Sequence, residues 1–327
     1  MHTLSSMVLM LYSRRSSPSN SQRMALSVTG AVLVALCVHP ARAQQKTAVR
    51  QSSTTESWSA VEQTLGRKGA MNPGGVMRFG FPRSDLQVML GDVQLKPALA
   101  LGGWVAFKPL AGGKAVALGD LVLTPDEVGP VMQRLQEGGI SQTALHNHLL
   151  GENPRVMYMH VMAEGDPAKI AETLRTALGE SKTPMTMSAP AAPNAAIDLD
   201  TTAVARALGY SGKVNGGVYQ VSVPRAERIV DMGQEIPPSM GVATAINFQP
   251  TGGGKAAITG DFVLIGSEVN PVLRTLRENG IQVTAVHSHM LQESPRLFFM
   301  HFWANDDATK LATGLHAALA RTNVKRS

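Results

Sequence analysis

The chain has 327 residues, of which 44% are hydrophobic and 17% are charged. This composition is typical of a folded protein with a sizeable core, and it excludes a disordered tail or a coiled coil. The length allows about two ordinary domains. No apolar stretch reaches the roughly 20 residues that span a bilayer, which excludes a multi-pass membrane protein.

The N-terminal residues have the layout of a secretory signal peptide. Three arginines precede an apolar run over residues 25–38, and Ala41-Arg42-Ala43 follows as a small-x-small cleavage site. We therefore predict a signal peptide over residues 1–43, a disordered segment over 44–57, and an exported mature chain that is periplasmic or secreted. Removing residues 1–43 takes away four arginines and no acidic residue, so the formal net charge falls from +6 to +2. The basic character belongs to the signal, and a nucleic-acid partner is not expected.

The single cysteine, Cys37, lies inside the apolar run of the predicted signal peptide. The mature chain is therefore expected to have no disulfide, and no transmembrane span is predicted in it. Acylation of Cys37 would make the protein a lipoprotein. This alternative is less favoured, because Leu36 is bulky where a small residue is expected.

An internal repeat organises the rest of the chain. The segment 143–160 returns as 284–301, a constant offset of 141 residues, and the match extends upstream through Gly119-Asp120 and Gly260-Asp261. We predict two copies of one unit, repeat 1 over residues 58–179 and repeat 2 over 198–322. A Pro/Ala/Ser-rich linker over 180–197 is expected to join them.

Each unit is predicted to begin with strands. In repeat 1, residues 76–81, 103–109 and 114–123 have the β-branched, aromatic and alternating character of strands. A helix is predicted to begin after Thr124, because Pro125 and Glu127 complete a capping box. It is predicted to end at Gly138-Gly139.

The second half of each unit contains a predicted hairpin and a final helix. Strands over 143–150 and 155–163 are joined by a turn at 151–154, and Asp166-Pro167 begins the last helix. The predicted fold class is α+β, with two tandem repeats, each a mostly antiparallel sheet with helices on one face. The β-rich start is followed by a ferredoxin-like βαββα arrangement.

Six of the seven histidines outside the predicted signal peptide lie in the two hairpins: His146, His148 and His160, with His287, His289 and His301. Side chains alternate along a strand, so His146 and His148 are expected on one face, about 7 Å apart at the backbone. His160 returns opposite His146 if the turn has five residues, and points to the other face if it has four. The sequence leaves this register open.

A carboxylate follows each His-x-His pair. Glu152 and Glu293 could complete a site with either three or two histidines. The predicted metal ligands are therefore His146, His148, Glu152, His160, His287, His289, Glu293 and His301. Nitrogen and oxygen donors without thiolate suit a divalent transition metal, with Zn²⁺ as the first choice and Fe²⁺, Mn²⁺, Ni²⁺ or Cu²⁺ as alternatives. One metal centre is expected in each repeat.

Six further charged residues are candidates for supporting this site or lining a cleft: Asp120, Asp261, Arg83, Arg225, Arg155 and Arg296. Asp120 and Asp261 lie in mid-strand, where a buried carboxylate needs a partner such as a histidine ring. Arg83 and Arg225 are also explained as members of ion pairs at strand ends. Arg155 could form a salt bridge with Glu152 across the turn. The catalytic residues stay unknown.

Two family resemblances follow from these residues. The pattern His146-x-His148-x3-Glu152 matches the first half of a cupin metal motif, but the capped helices do not suit an all-β cupin barrel. The run of residues 146–155, His-Asn-His-Leu-Leu-x-Glu-x-Pro-Arg, followed by a hydrophobic strand ending in His160, resembles the bacterial LppY/LpqO family, a domain of unknown function. Residues 82–86 and 103–107 are also similar to that family.

The LppY/LpqO resemblance covers both repeats and nearly the whole predicted mature chain. It implies export, sometimes with a lipid anchor, but no established reaction. The second copy departs from the pattern, since Ala245-Ile246-Asn247-Phe248 replaces the strand that carries Trp104. It is therefore open whether both copies bind the same ligand.

The leading functional hypothesis is metal-dependent binding or hydrolysis at the histidine hairpins. One alternative is a metal-free envelope protein that binds cell-wall or protein partners through an exposed sheet. The partner of the protein is expected to be an unknown small molecule or a cell-envelope component. Another is a periplasmic metal carrier without catalysis. The sequence leaves open whether the protein is an enzyme, what its substrate is and how it oligomerises.

Overall fold

The structure is a computed structural model that describes residues 58–185 and 196–326. The predicted signal peptide, its cleavage site, Cys37, the segment 44–57 and the middle of the predicted linker lie outside these described residues. Within them, no helix is both long and apolar enough to cross a membrane.

Repeat 1 forms a six-stranded antiparallel sheet in the order β1-β2-β5-β6-β8-β7, beside a separate small hairpin of β3 and β4. The strands are β1 Ala70–Asn72, β2 Val76–Pro82, β3 Met89–Leu90, β4 Val93–Gln94, β5 Gly102–Pro109, β6 Ala115–Leu123, β7 Ser141–His146 and β8 Met157–Gly165. The helices are α1 at 58–65, α2 Pro97–Ala100, α3 Pro125–Glu137 and α4 Pro167–Leu178. A 3-10 turn covers Ala111–Gly113.

Repeat 2 reproduces this arrangement, with a six-stranded sheet in the order β9-β10-β13-β14-β16-β15 and a small hairpin of β11 and β12. Its strands are β9 Lys213–Asn215, β10 Val218–Pro224, β11 Val230–Asp231, β12 Gln234–Glu235, β13 Ala243–Gly252, β14 Lys255–Ile265, β15 Gln282–His287 and β16 Leu297–Asp307. Its helices are α5 Thr201–Leu208, α6 Gly266–Glu278 and α7 Ala308–Leu319, with a 3-10 turn at Pro238–Met240.

The predicted fold class is confirmed. The three strands predicted at the start of repeat 1 correspond to β2, β5 and β6. Helix α3 begins after Thr124, whose backbone N–H donates to Glu127 Oε2 at 2.9 Å, as a capping box requires. It ends before Gly138, and Gly139 adopts a positive φ of 76°. Strand β8 lies between β6 and β7, which gives the split βαβ arrangement of a ferredoxin-like unit.

The predicted tight hairpin is wrong in its turn. Strand β7 ends at His146 and β8 begins at Met157, so the intervening loop covers residues 147–156. The loop forms hydrogen bonds to another part of repeat 1. The backbone N–H and C=O groups of Asn153 pair with those of Met89 in β3, at 2.8 and 2.9 Å. The side chain of Asn147 also donates to the carbonyl of Leu149 at 2.7 Å. These bonds shorten the strand that the sequence predicts over 143–150.

The two sheets pack against each other through their inner faces. One buried apolar cluster combines Val116 and Leu118 of repeat 1 with Val263, Leu297 and Phe299 of repeat 2. The alternate side chains of the same strands point outward and pack against helices, α1, α3 and α4 in repeat 1 and α5, α6 and α7 in repeat 2. The chain is therefore layered as helices, sheet, sheet and helices, with both faces of each sheet covered.

A buried arginine ties the end of a strand to a helix N-terminus in each repeat. Arg83 is fully buried and donates to Glu127 of α3 at 2.6 and 3.1 Å, to Asp85 at 2.8 Å and to the carbonyl of Val122 at 2.8 Å. In repeat 2, Arg225 makes the corresponding bonds to Glu268, Glu227 and the carbonyl of Val263. The glutamate of the capping box is thus also the counterion of the arginine.

We expect Glu127→Gln to lower the free energy of unfolding by about 3 kcal/mol, because breaking a buried ion pair leaves Arg83 with Asp85 as its only carboxylate partner among residues 58–185 and 196–326. Urea unfolding followed by circular dichroism would measure this loss. The matched control is Glu137→Gln on the same helix, whose exposed ion pair with Arg134 should contribute little. Equal unfolding midpoints for the two variants would contradict a stabilising role for the buried pair.

Candidate metal centre

The strand registers place all six hairpin histidines on the inner faces of the two sheets. In repeat 1, His146 lies opposite Tyr158 and Ala144 lies opposite His160, so His146 and His160 share one face. Repeat 2 has the same pairing, with His287 opposite Phe299 and Ala285 opposite His301. The sequence left this register open. In the structure it places His160 on the same face as His146, and His301 on the same face as His287.

The two repeats contribute to one shared cluster. The ring centroids are separated by 3.7 Å for His146 and His287, 3.8 Å for His148 and His301, and 3.6 Å for His160 and His289. His146 corresponds to His287 in the other repeat, so their pair is equivalent to itself when the repeats are exchanged. The other two pairs are exchanged with each other. A pseudo-twofold axis therefore passes between His146 and His287. The two sets of histidines are therefore not separate, because docking of the inner faces merges them, and the number of metal ions that they bind stays a prediction.

Four of the imidazoles are arranged as ligands of one ion could be. His146, His287, His289 and His301 each offer a ring nitrogen, and these four atoms lie within 4.8 Å of one another. Two of them, His287 Nε2 and His289 Nε2, are 2.8 Å apart. Ligands bound at about 2 Å around one ion lie roughly 3–4 Å apart, so small side-chain movements would close the group around a cation.

Several buried ring nitrogens have no hydrogen-bond partner among residues 58–185 and 196–326. They are Nε2 of His146, His148, His160 and His301, and Nδ1 of His287. Leaving a buried polar atom unpaired costs about 1–3 kcal/mol. These nitrogens are therefore the atoms of the cluster that are available to accept a bond from a ligand or an ion.

His301 is oriented as a metal-ligating histidine would be. Its Nδ1 donates to the carbonyl oxygen of Gly260 at 2.9 Å, which fixes the ring and leaves Nε2 free to face the cluster. Glycine is required at position 260 for a separate reason, since a Cβ there would lie only 1.9 Å from the carbonyl oxygen of Ala245 on β13.

The electrostatic environment keeps the imidazoles neutral. Burial lowers the pKa of His146 to about 4, of His287 to about 2 and of His301 to about 3. Burial, followed by repulsion from the neighbouring imidazoles, also lowers the pKa of His148, His160 and His289 well below the usual value. Neutral imidazole is the form that binds metal ions.

Both predicted aspartates lie beside the cluster. Asp120 pairs with His160 across β6 and β8, and its Oδ1 is 3.7 Å from His160 Nε2. Asp261 pairs with His301, and its Oδ2 is 3.8 Å from Nε2 of His289. Burial raises the pKa of Asp120 to about 7 and that of Asp261 well above its usual range.

The two predicted glutamate ligands are not in the four-histidine group. Glu293 is held by its own loop, accepting from the backbone N–H of Leu297 at 2.9 Å and from Arg296 at 3.1 Å. Glu152 is buried and no side chain in the described parts of the chain donates to its carboxylate, and burial raises its pKa against the opposing effect of the Val156 backbone N–H. No ion pair joins Glu152 to the exposed Arg155 within those same parts, so only repeat 2 forms the salt bridge across the loop.

The remaining predicted residues have a role in the fold. Arg83 and Arg225 are engaged by the buried carboxylates at the strand ends, and neither belongs to the histidine group.

Sequence reasoning missed the aromatic rings that support two of the histidines. Tyr158 stacks on His148 with ring centroids 3.3 Å apart, and Phe299 stacks on His289 at 3.6 Å. The signal was available, because each aromatic residue precedes the last histidine of its repeat by two positions and so shares its face. Thr284 Oγ1 donates to the carbonyl oxygen of His148 in the other repeat at 2.5 Å. No pattern in the sequence predicts this hydrogen bond.

Comparison with known proteins identifies the family of the chain. A family described as Domain of Unknown Function (DUF1259) matches it twice, over residues 59–180 and 202–321. The chain belongs to this family. The two matches correspond to the two sheets, so the DUF1259 unit is here present as a tandem pair whose members meet at the histidine cluster.

No curated protein matches the chain significantly. Among solved structures, the chain is similar to a trimeric bacterial microcompartment shell protein, PduB, with 10% sequence identity and a TM-score of 0.22. The match covers 79% of this chain and 96% of that chain. A similarity this weak carries no argument about the fold or the site.

We expect the metal-free DUF1259 protein to lose stability as the pH falls below about 6.5, the ordinary pKa of histidine. The histidine pKa values are lower in the folded protein than in the unfolded chain. The free energy of unfolding is therefore greatest above the unfolded-state pKa, and it decreases as the pH falls from that pKa toward the folded-state pKa values. In this pH range a histidine that is protonated in the unfolded chain but neutral in the folded protein reduces the free energy of unfolding. The reduction is about 1.4 kcal/mol for each unit by which the pH falls. Urea unfolding in chelator at pH 7 and pH 5 would measure the slope.

His146 and His287 lie on either side of the pseudo-twofold axis. The double variant His146→Gln with His287→Gln should show a smaller change in the free energy of unfolding per pH unit, because two of the buried imidazoles are removed. The matched control is His316→Gln, because His316 lies on α7, where its Nδ1 contacts the carbonyl of Leu208 away from the cluster. A stability that does not change over this pH range would contradict a buried cluster of neutral imidazoles.

Proposed function

We propose that this protein binds a divalent transition-metal ion at the histidine cluster between its two repeats. The observation that carries the proposal is the group of four ring nitrogens, drawn from both repeats, that lie within 4.8 Å of one another. Four imidazole donors suit tetrahedral Zn²⁺, which is our first choice, and they also accommodate Fe²⁺, Mn²⁺, Ni²⁺ or Cu²⁺.

The unpaired nitrogens favour metal binding over a purely structural role for the histidines. Structural histidines bridge strands by donating and accepting through both ring nitrogens. In this cluster the contact between His287 and His289 and the bond from His301 to Gly260 fit that role. Five other buried ring nitrogens have no partner in the described regions, which a structural role leaves unexplained and a bound cation would satisfy.

The exposure of the cluster supports access from solvent. His160, His289 and His301 are buried, whereas His146, His148 and His287 are only partly buried. An ion bound by three of these imidazoles would keep its fourth position for a water molecule, and zinc-bound water is acidified to a pKa of about 7, which makes it a hydrolytic nucleophile. Metal-dependent hydrolysis is therefore the enzymatic activity that we propose for the site.

A non-catalytic metal carrier is the second candidate. It is favoured by the partial exposure of His146 and His287, which would allow an ion to exchange with solvent. A rapidly exchanging ion would indicate a carrier, and tight retention with exchangeable water would indicate an enzyme. The metal-free alternative required an exposed sheet, and the packing of both faces of each sheet weighs against it.

We also propose that the protein is exported, to the periplasm or beyond the cell. The support is the arginine-flanked apolar run and the Ala41-Arg42-Ala43 site. The resemblance of residues 146–160 to the LppY/LpqO family points the same way.

The test is elemental analysis of the full chain, purified without a histidine tag, stripped with chelator and then supplied with Zn²⁺. We expect stoichiometric retention by the wild type, and at least a 100-fold loss of affinity in the double variant His146→Ala with His287→Ala, which removes both ligands on the axis. His316→Ala is the control and should bind as the wild type does. Retention below about 0.2 ion per wild-type chain would contradict the proposal.

A further inference from the structure

We propose that the cluster binds two divalent cations, the second held by Asp120 and His160. This inference rests on the proposed function, since a cluster that binds no metal has no second ion. It adds a site that lies beside the four-histidine group and is built from other residues.

The cluster has more donor groups than one ion uses. Six imidazoles and the carboxylates of Asp120 and Asp261 meet at the interface of the repeats, and a tetrahedral ion takes four ligands. The group of His146, His287, His289 and His301 leaves four donors without a role in the first site, which are His148, His160, Asp120 and Asp261.

Asp120 and His160 face each other at a separation that fits two ligands of one ion. The distance from Asp120 Oδ1 to His160 Nε2 is 3.7 Å, which is too long for a hydrogen bond. Both residues are more than nine-tenths buried, and neither atom has a partner in the described parts of the chain. Ligand atoms that each lie about 2 Å from one cation are separated by about 3–4 Å. A cation between them would satisfy both atoms at once.

The second site would be close to the first. The ring of His160 stacks on the ring of His289, a member of the four-histidine group, with centroids 3.6 Å apart. His289 in turn faces a carboxylate, at 3.8 Å from Asp261 Oδ2. The two stacked imidazoles, one from each repeat, thus each face their own carboxylate. The two ions would therefore be neighbours, as they are in enzymes whose two metal ions lie about 3.5–4 Å apart.

There is room for a solvent ligand on the second ion. A small cavity adjoins His160 and His289, and its wall includes Trp104, Thr143 and Met240. Its size suits about one water molecule. A water molecule in this cavity would supply a third ligand to an ion held by Asp120 and His160.

The first test is the stoichiometry of binding to the untagged full chain, measured by calorimetric titration with Zn²⁺ and by elemental analysis after desalting. We expect about two ions per wild-type chain and about one in Asp120→Asn, which keeps the size of the side chain but weakens it as a ligand. The matched control is Asp92→Asn at an exposed aspartate, which should retain both ions.

The outcomes separate this inference from the proposed function. Saturation of the wild type at one ion would overturn the second site and leave metal binding intact. Binding of no ion would overturn both. Two ions in both the wild type and Asp120→Asn would overturn the assignment to Asp120.

A second readout does not depend on the folding of a variant. Wild-type protein titrated with Cu²⁺ should lose electron paramagnetic resonance intensity per ion as the second equivalent binds, because ions at such short separations couple magnetically. Two equivalents that give independent, additive signals would contradict a pair of adjacent sites.

Discussion

Packing of the two inner sheet faces creates the site as well as the core. Val116 and Leu118 of one repeat are buried against Val263 and Phe299 of the other, and this apolar contact holds the histidine strands face to face. Without it, the imidazoles of each repeat would point into solvent, where they could be hydrated individually. The hydrophobic contact thus supplies the free energy that gathers the polar groups.

Burying so many imidazoles opposes the stability that this packing provides. Each ring nitrogen left without a partner costs free energy, and the apolar interface has to offset that cost. Buried polar groups of this kind are expected where a protein maintains a binding site at the expense of stability. The buried ion pairs of Arg83 and Arg225 are different, because every charge there has a partner and the effect is to fix strands to helices.

Local signals predicted most of the fold, and the site only in part. The cap of α3 is encoded within four residues, from Thr124 to Glu127, and the strands follow from alternation along a short segment. The loop over 147–156 was mispredicted because its hydrogen bonds go to Met89, which is distant in sequence. The sequence identified the six histidines by their repetition. It could not predict that His146 meets His287, because that contact depends on how the two finished sheets dock.

The two repeats have diverged around the cluster more than within it. All six imidazoles occupy corresponding positions, yet Tyr158 corresponds to Phe299 and Trp104 to Ala245. Glu293 is bound by Arg296, whereas no arginine among the described residues forms an ion pair with the corresponding Glu152. The donor groups are therefore nearly symmetric while their surroundings are not. Since surroundings control solvent access and the basicity of ligands, ions bound on the two sides of the axis would differ in affinity and in reactivity. A duplicated unit can in this way keep one set of ligands and still give each half a separate role.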